Sequence, residues 1–160
     1  MRKEFYDIHD LKILALLQED AELSLAELAE RVGLSTTPCW RRVQALQAAG
    51  VIRKRVALLD AEKLNAGVTV FVMVRTDRHD PVWLERFAKG AAAIPEVVEF
   101  YRMSGVTDYL LKLQVPSIAA YDAVYKRLIA VADLSEVSSA FAMEQIKYTT
   151  AVPLDYAPTR

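Results

Sequence analysis

Cysteine, histidine and glycine are all scarce in this chain, and long uncharged apolar runs are missing. With a single cysteine, Cys39, no intramolecular disulfide can form, and the two histidines, His9 and His79, offer no spaced ligand set for structural zinc. Both histidines are expected at the surface, and a reducing, cytoplasmic setting is expected for the protein. No segment approaches the roughly 20 apolar residues that a membrane-spanning helix needs. The first residues, Met1-Arg2-Lys3-Glu4-Phe5-Tyr6-Asp7, lack the apolar stretch of a secretory signal. Charge of one sign is not in excess either. Lysine plus arginine number 20 against 21 aspartate plus glutamate, a net charge of -1, so any nucleic-acid surface must be a local patch. There is no nucleophile beside a base motif, no phosphate-binding glycine loop and no metal-ligand pattern, which argues against an enzyme and against a cofactor.

What remains is an ordinary globular composition: 160 residues, 53% hydrophobic and 26% charged, enough for one domain or two small ones. The charges are unevenly spread. Residues 36–59 carry Arg41, Arg42, Arg53, Lys54 and Arg55 and no acidic side chain, whereas Glu19, Asp20, Glu22, Glu27 and Glu30 crowd the segment before them. Helical periodicity runs through residues 8–50, strand-like and helical segments alternate over 67–148, and the change falls between Asp60 and Gly67. The expected division is residues 1–60 as one domain, 61–66 as a short structured linker and 67–160 as a second domain.

In the first domain Asp7 is placed to cap a helix with Ile8, Leu11, Leu14 and Leu17 inward. Ser24 and Glu27 form a capping box for a second helix with Leu25, Leu28, Ala29 and Val32 inward, and Gly33 ends it. Ser35 or Thr36 caps a third helix with Pro38 in its first turn, where no backbone hydrogen bond is lost. Cys39, Val43, Leu46 and Gly50 share the inner face of that helix, with Cys39 a small buried hydrophobe. Two short helices joined through a glycine, the second bearing arginines away from its apolar stripe, are what a helix-turn-helix requires. Residues 51–59 read as two short strands about the basic tip Arg53-Lys54-Arg55, a wing beside a DNA backbone.

Arg41 and Arg42 are the leading candidates for DNA contact, because guanidinium groups bind guanine or phosphate in bidentate fashion. Their bland alternative is a solvated face paired to Glu27 or Glu30. Thr36, Thr37 and Gln44 are weaker candidates that also suit capping. Trp40 either stacks on the nucleic acid or covers the first helix, and Arg53, Lys54 and Arg55 supply attraction without sequence information.

The second domain reads as βαββαβ, an α+β arrangement. Residues 67–76 form a strand with Val68, Val70, Val72 and Val74 on one face and Phe71 and Met73 on the other. A helix follows from Asp80-Pro81 with Trp83, Leu84, Phe87, Ala88 and Ala91 inward. Residues 96–104 and 107–115 are strands joined at Gly105, Ser117 caps a helix using Tyr121, Val124, Tyr125 and Leu128, and residues 137–146 are the last strand. Two helices cover one face of a four-stranded sheet. The first strand is apolar on both sides, and Phe141 and Met143 continue that character in the last, so self-association through the uncovered face is expected.

Leu34-Ser35-Thr36-Thr37-Pro38-Cys39-Trp40-Arg41-Arg42-Val43, Gly50-Val51-Ile52, Leu58-Leu59-Asp60, Pro95-Glu96-Val97, Gly105-Val106-Thr107-Asp108-Tyr109-Leu110-Leu111 and Lys147-Tyr148-Thr149-Thr150 occur in the order seen in the Lrp/AsnC (feast/famine) family, which this chain resembles from about Ile8 to Leu154. The Trp after Cys39 and Phe141-Ala142-Met143-Glu144-Gln145-Ile146 resemble a proteobacterial subgroup, some of whose members respond to cysteine. The resemblance implies a winged helix-turn-helix followed by a ferredoxin-like regulatory domain, in dimers assembling further, often to octamers. It also implies a regulator that binds double-stranded DNA and is modulated by a small amino acid held between subunits near the Gly-x-x-Asp-Tyr turn. On that basis Met103, Ser104, Gly105, Thr107, Asp108 and Tyr109 are the candidate effector residues. Asp108 would hold an ammonium group, its alternative being a turn-forming aspartate, and Tyr109 reads more readily as sheet core than as an effector contact. Many relatives carry an acidic residue where Val106 stands here, which removes one partner for the ammonium. An architectural DNA-binding protein without an effector is the alternative function.

Overall fold

The computed structural model describes residues 5–78 and 80–159; His79 and its expected surface position lie outside the described residues. The chain divides into two compact units, Met1–Ala57 with Lys147–Arg160, and Leu58–Ile146.

The first unit holds three helices, α1 (Ile8–Glu19), α2 (Leu25–Val32) and α3 (Thr36–Ala48). Asp7 caps α1 by accepting from the His9 and Asp10 N–H groups at 2.9 and 3.0 Å, and the Asp10 carboxylate accepts from the Asp7 N–H at 3.1 Å. Ser24 and Glu27 form the same reciprocal box at α2, satisfying N–H groups that a helix start leaves without partners. Gly33 ends α2 at φ 81°, a left-handed conformation that a β-carbon would strain. Ile13, Leu14, Leu23, Leu28, Ala29, Val32, Cys39, Val43 and Leu46 form the core. Three residues expected on inner faces are not there: Ile8 is 61% exposed and Leu25 36%, and Gly50 is exposed because α3 ends at Ala48, before reaching it. The first turn of α1 directs Asp7 and Asp10 toward α3 instead, which leaves Ile8 outside.

The two short strands expected after Gly50 are not formed; among the described residues, 53–60 pair with no neighbouring backbone, and Val56, Leu58 and Leu59 are exposed. Arg53-Lys54-Arg55 contains none of the Gly, Asn or Asp residues that a tight hairpin turn demands. The C-terminal segment, expected to belong with the second domain, groups with the first unit. The Gln18 side chain donates to the Val152 carbonyl at 3.2 Å and accepts from the Val152 N–H at 2.6 Å. The Tyr6 N–H donates to the Pro158 carbonyl at 2.9 Å, and Leu154 packs against the helical core.

The second unit is βαββαβ as expected: β1 (Val68–Arg75), α4 (Pro81–Ala92), β2 (Val97–Arg102), β3 (Tyr109–Val115), α5 (Ile118–Ile129) and β4 (Glu136–Phe141). The sheet order is β2-β3-β1-β4 and every neighbouring pair is antiparallel. Val70, Val72, Val74, Tyr109, Leu111, Leu113 and Val115 face both helices and bury against Trp83, Phe87, Ala91, Tyr121, Val124 and Leu128. Gly90 of α4 lies against Val131, whose methyl groups occupy the space a β-carbon would need. β4 ends at Phe141 rather than continuing to residue 146, and Met143 and Ile146 are 97% and 90% exposed. Phe141 pairs with Val70 and meets the Tyr121 ring edge-on at 5.4 Å, so it belongs to the helix-covered face and not to the open one. Strand alternation puts Thr69, Phe71, Met73 and Arg75 of β1 on the open face, with Leu110, Lys112 and Gln114 of β3 beside them. That face is therefore apolar along part of its width and charged along the rest. No helix among the described residues is long and apolar enough to cross a membrane.

Candidate functional site

The two candidate regions lie in different units. In the first, α2 and α3 form the helix-turn-helix, and the outer face of α3 presents Thr36, Thr37, Trp40, Arg41 and Gln44 to solvent. Ser35 occupies the N-cap position of α3 without a side-chain capping bond. The N–H groups of the first turn and the hydroxyls of Ser35, Thr36 and Thr37 thus open toward solvent, an arrangement suited to a phosphate oxygen.

The adjacent arginines have different fates. Arg41 is exposed and has no ion pair among the described residues. Arg42 turns back onto α1, where its Nη1 lies 2.8 Å from Asp7 Oδ2 and 2.7 Å from Asp10 Oδ1, and its side chain is only 32% exposed. This departs from the expectation that both arginines face DNA, and the partners are neither Glu27 nor Glu30. The reason is helical phase: Arg42 adjoins the buried Val43 on the α1 side of α3, while Arg41 points outward. The Asp10 hydrogen bond, against the cost of burial, raises the Arg42 guanidinium above its ordinary value. Burial works against the Asp7 carboxylate, but the Asp10 N–H and the Arg42 guanidinium outweigh it and hold the carboxyl below its ordinary 3.8.

A pH dependence follows from that shift. A carboxyl depressed on folding adds stability above its unfolded value and loses it as pH falls through the folded one, so this contribution is intact at neutral pH and disappears below about pH 4. Asp7→Asn is expected to flatten the acid limb of unfolding followed by helical circular dichroism. An unchanged acid limb would remove Asp7 from the list of linked groups.

Gln44 donates from Nε2 to Gln47 Oε1 at 3.1 Å. Trp40 is 51% exposed and lines a shallow cavity of about 310 Å³ with Leu23, Leu25, Leu28, Val43, Gln44, Gln47 and Arg55. None of those neighbours comes from α1, so the cavity that the indole lines opens on the α2 side of α3. Arg53 and Lys54 are exposed, while Arg55 donates to the Ala21 carbonyl at 3.2 Å. Cys39 is fully buried, and burial raises its thiol above the ordinary value.

In the second unit, residues 103–108 link β2 to β3 in a turn with Gly105 at φ 119°. Met103 and Val106 are 42% and 83% exposed, Ser104 is exposed, and Thr107 and Asp108 are half-buried. The Met103 N–H donates to the Asp108 carbonyl at 2.8 Å, and the Asp108 N–H to the Val74 carbonyl at 3.0 Å. Asp108 Oδ2 accepts from the N–H of Thr76, a residue 4% exposed, at 2.9 Å. The aspartate thereby ties the end of β1 to the start of β3, and its Oδ1 carries no hydrogen bond among the described residues. Thr76 closes the corner further: its Oγ1 accepts from the Arg78 N–H at 3.0 Å. Tyr109 leaves the group. It is 4% exposed and its ring lies 5.3 Å from Phe87 and 5.8 Å from Phe100, inside the helix-covered core.

Sequence reasoning missed Asp7 and Asp10 as partners of α3, and Thr76 as the partner of Asp108. The first pair had a signal, two carboxylates three apart at a helix start, each with one oxygen in the capping box and the other left for a cation. Thr76 had none, because its contact is made by a backbone N–H.

Two family profiles match the chain: winged helix-turn-helix DNA-binding over residues 6–53, and Lrp/AsnC ligand binding domain over residues 69–152. Among curated proteins, the chain is 51% identical to the glutamate uptake regulatory protein of Zymomonas mobilis over 148 residues, covering 92% of this chain and 90% of that one. It is 50% identical to the DNA-binding transcriptional activator DecR of Escherichia coli over 147 residues, covering 91% and 97%. Among solved structures, an AsnC family transcriptional regulator from Agrobacterium tumefaciens superposes with a TM-score of 0.92 at 63% identity, covering 94% of this chain and 99% of that chain. A transcriptional regulator of Neisseria meningitidis, solved as a complex with L-Met, gives 0.89 at 37% identity, covering 94% and 98%.

Proposed function

The chain belongs to the Lrp/AsnC family of DNA-binding transcriptional regulators, and from that premise we propose that α3 supplies the contacts to double-stranded DNA and that the turn at residues 103–108 takes a small amino acid. The observation that carries the first half is the outer face of α3. Arg41 is free for a base edge or a phosphate, and Thr36, Thr37 and Gln44 stand on the same exposed surface. Arg53 and Lys54 add attraction to the backbone, and Trp40 offers an apolar surface to a sugar or a thymine methyl. Arg42 acts through α1 and is left out of the contact set.

Met103, Ser104, Gly105, Thr107 and Asp108 make up the effector turn. The unbonded Oδ1 of Asp108 suits an ammonium group, and the exposed Val106 favours an effector with an apolar side chain over one needing a second carboxylate. The Neisseria relative in complex with L-Met supports an amino-acid ligand. Methionine, cysteine and other small or sulfur-containing amino acids are the first to test. Self-association through the open face of the sheet sets paired readers over two half-sites, with dimers assembling further to octamers in the cytoplasm. The effector changes DNA binding to the extent that it binds one assembly better than another.

The test is a gel shift on DNA upstream of the protein's own gene, with each of the twenty amino acids added in turn. Retardation is expected, with an affinity change of about 5- to 150-fold for the cognate amino acid, the usual range of coupling between sites. Absence of retardation under every condition would sink the DNA-contact reading. Retardation indifferent to all amino acids would favour an architectural protein.

A further inference from the structure

Within the first unit, two sequence patterns build the cavity between α2 and α3. Leu23 precedes the Ser24 cap and Leu28 follows it by four residues, the spacing at which side chains flanking a capping box pack on each other. Both are buried and line the cavity. Opposite them, Trp40, Val43, Gln44 and Gln47 recur at i, i+3, i+4 and i+7 and so share one face of α3, and Arg55 completes the lining. At about 310 Å³ the space stands at the lower end of small-molecule sites, which run from about 300 to 1,000 Å³.

The polar atoms of this lining are mostly donors. Gln44 Nε2 donates to Gln47 Oε1 at 3.1 Å, which leaves Gln47 Nε2 and Gln44 Oε1 facing outward from the pair. Arg55 donates from Nη1 to the Ala21 carbonyl at 3.2 Å and meets no carboxylate within ion-pair distance among the described residues. Asp20 and Glu22 flank that carbonyl but are exposed and outside the lining, where Asp20 accepts from the Glu22 N–H at 2.8 Å. No acidic side chain lines the cavity, so a cation finds no counter-charge in it. What the site offers is an apolar base, a flat and half-exposed indole, and a guanidinium. A planar ring stacks on the first two, and a carboxylate takes the N–H groups of the third in bidentate fashion.

We propose that the α2–α3 cavity is a ligand site distinct from the turn at residues 103–108, that it takes a small arylalkyl carboxylate, and that this ligand and DNA exclude each other. The exclusion rests on the reading above that the outer face of α3 contacts DNA. Trp40 and Gln44 belong to both surfaces. A guest stacked on the indole withdraws it from the nucleic acid, and the guest's carboxylate adds negative charge where phosphates must approach.

The experiment titrates the full-length protein with hydrocinnamate, which has the ring and the carboxylate but no ammonium group for Asp108, and follows tryptophan fluorescence. The second tryptophan, Trp83, is 5% exposed with its Nε1 donating to the Asp133 carbonyl at 3.1 Å, so Trp40 is the reporter. A saturable change is expected with a dissociation constant on the order of 1 mM, the scale for about a dozen heavy atoms in an open site. Trp40→Phe should abolish that change. Arg55→Gln, with circular dichroism to confirm its fold, should weaken binding about fivefold or more, and so should the uncharged hydrocinnamamide on the wild-type protein. No saturation by about 10 mM, or the same change in Trp40→Phe, would overturn the proposal. Amide binding within about twofold of the acid, or a folded Arg55→Gln that binds the acid within about twofold of the wild type, would also overturn it, since the guanidinium then plays no part. On DNA upstream of the protein's own gene, hydrocinnamate at about ten times its dissociation constant should raise the apparent dissociation constant for DNA about tenfold by mass action. Unchanged DNA affinity with the probe bound would defeat the exclusion. A protein that binds the probe yet retards no DNA would instead remove the reading of α3 beneath it and leave the cavity standing as a ligand site.

Discussion

Replacing Arg42 and replacing Arg41, neighbours in sequence, is expected to weaken DNA binding by different physics. Arg41→Ala should lower affinity by about 1–3 kcal/mol if the guanidinium reads a base. If it meets a phosphate, the slope of log affinity against log salt should become shallower by about 0.9. The folded state should be untouched, since Arg41 makes no ion pair among the described residues. Arg42→Ala removes a guanidinium held at 2.8 Å from Asp7 and 2.7 Å from Asp10. Two carboxylates then face each other at the start of α1 without their cation. The expected loss is about 1–3 kcal/mol in the stability of the helical unit, kept below the cost of breaking a fully buried pair by partial exposure. DNA affinity should fall with it, because α3 loses its brace, but the salt slope should stay at the wild-type value. Denaturant unfolding and a salt titration of the gel shift, run on both variants, separate the roles. A shallower slope for Arg42→Ala would return that residue to the DNA face.

Helix phase explains why composition alone could not distinguish the two. The run of Arg41, Arg42, Arg53, Lys54 and Arg55 is basic on paper, yet Arg42 is consumed by α1 and Arg55 is partly engaged with the Ala21 carbonyl. Local signals with a single reading held up well. The Ser24–Glu27 box, the Gly33 stop, the Asp80-Pro81 helix start and the alternation of Val70, Val72 and Val74 all stand where periodicity and capping chemistry put them. Each depends on residues within one turn or one strand. Illegible features were those that depend on a partner distant in sequence. The clasp of Gln18 on Val152 joins residues 134 apart, and nothing in the composition of residues 147–160 marks them for the helical unit. The strand alternation correctly put Phe71 and Met73 on the open face, but the ion pair of Lys112 with Glu99 beside them was hidden. Glu99 and Lys112 come together only once β2 is aligned with β3, and a register shift near Val97 sets that alignment.

Asp108 has one observed role and one proposed role, and Asp108→Asn separates them. One carboxylate oxygen accepts from the Thr76 N–H at 2.9 Å and holds the corner between β1 and β3. The other is the oxygen proposed to receive an ammonium group. Asparagine keeps an acceptor for the Thr76 N–H but loses the negative charge, and its amide NH₂ points a donor where the ammonium would approach. The unliganded melting temperature is therefore expected to stay close to the wild type, while stabilisation by the cognate amino acid disappears. At about 100 times its dissociation constant, a ligand that binds only the folded state adds roughly 2.7 kcal/mol, or roughly 5–10 °C for a chain of this size, so the loss is readily seen in a thermal-shift assay. Asp108→Ala should abolish the ligand response too, and in addition lower the unliganded melting temperature, because the N–H of buried Thr76 is left without an acceptor at about 1–3 kcal/mol. Equal ligand stabilisation in the wild type and Asp108→Asn would show that the aspartate serves the corner alone, and the ammonium site would have to be sought among the backbone carbonyls of the turn.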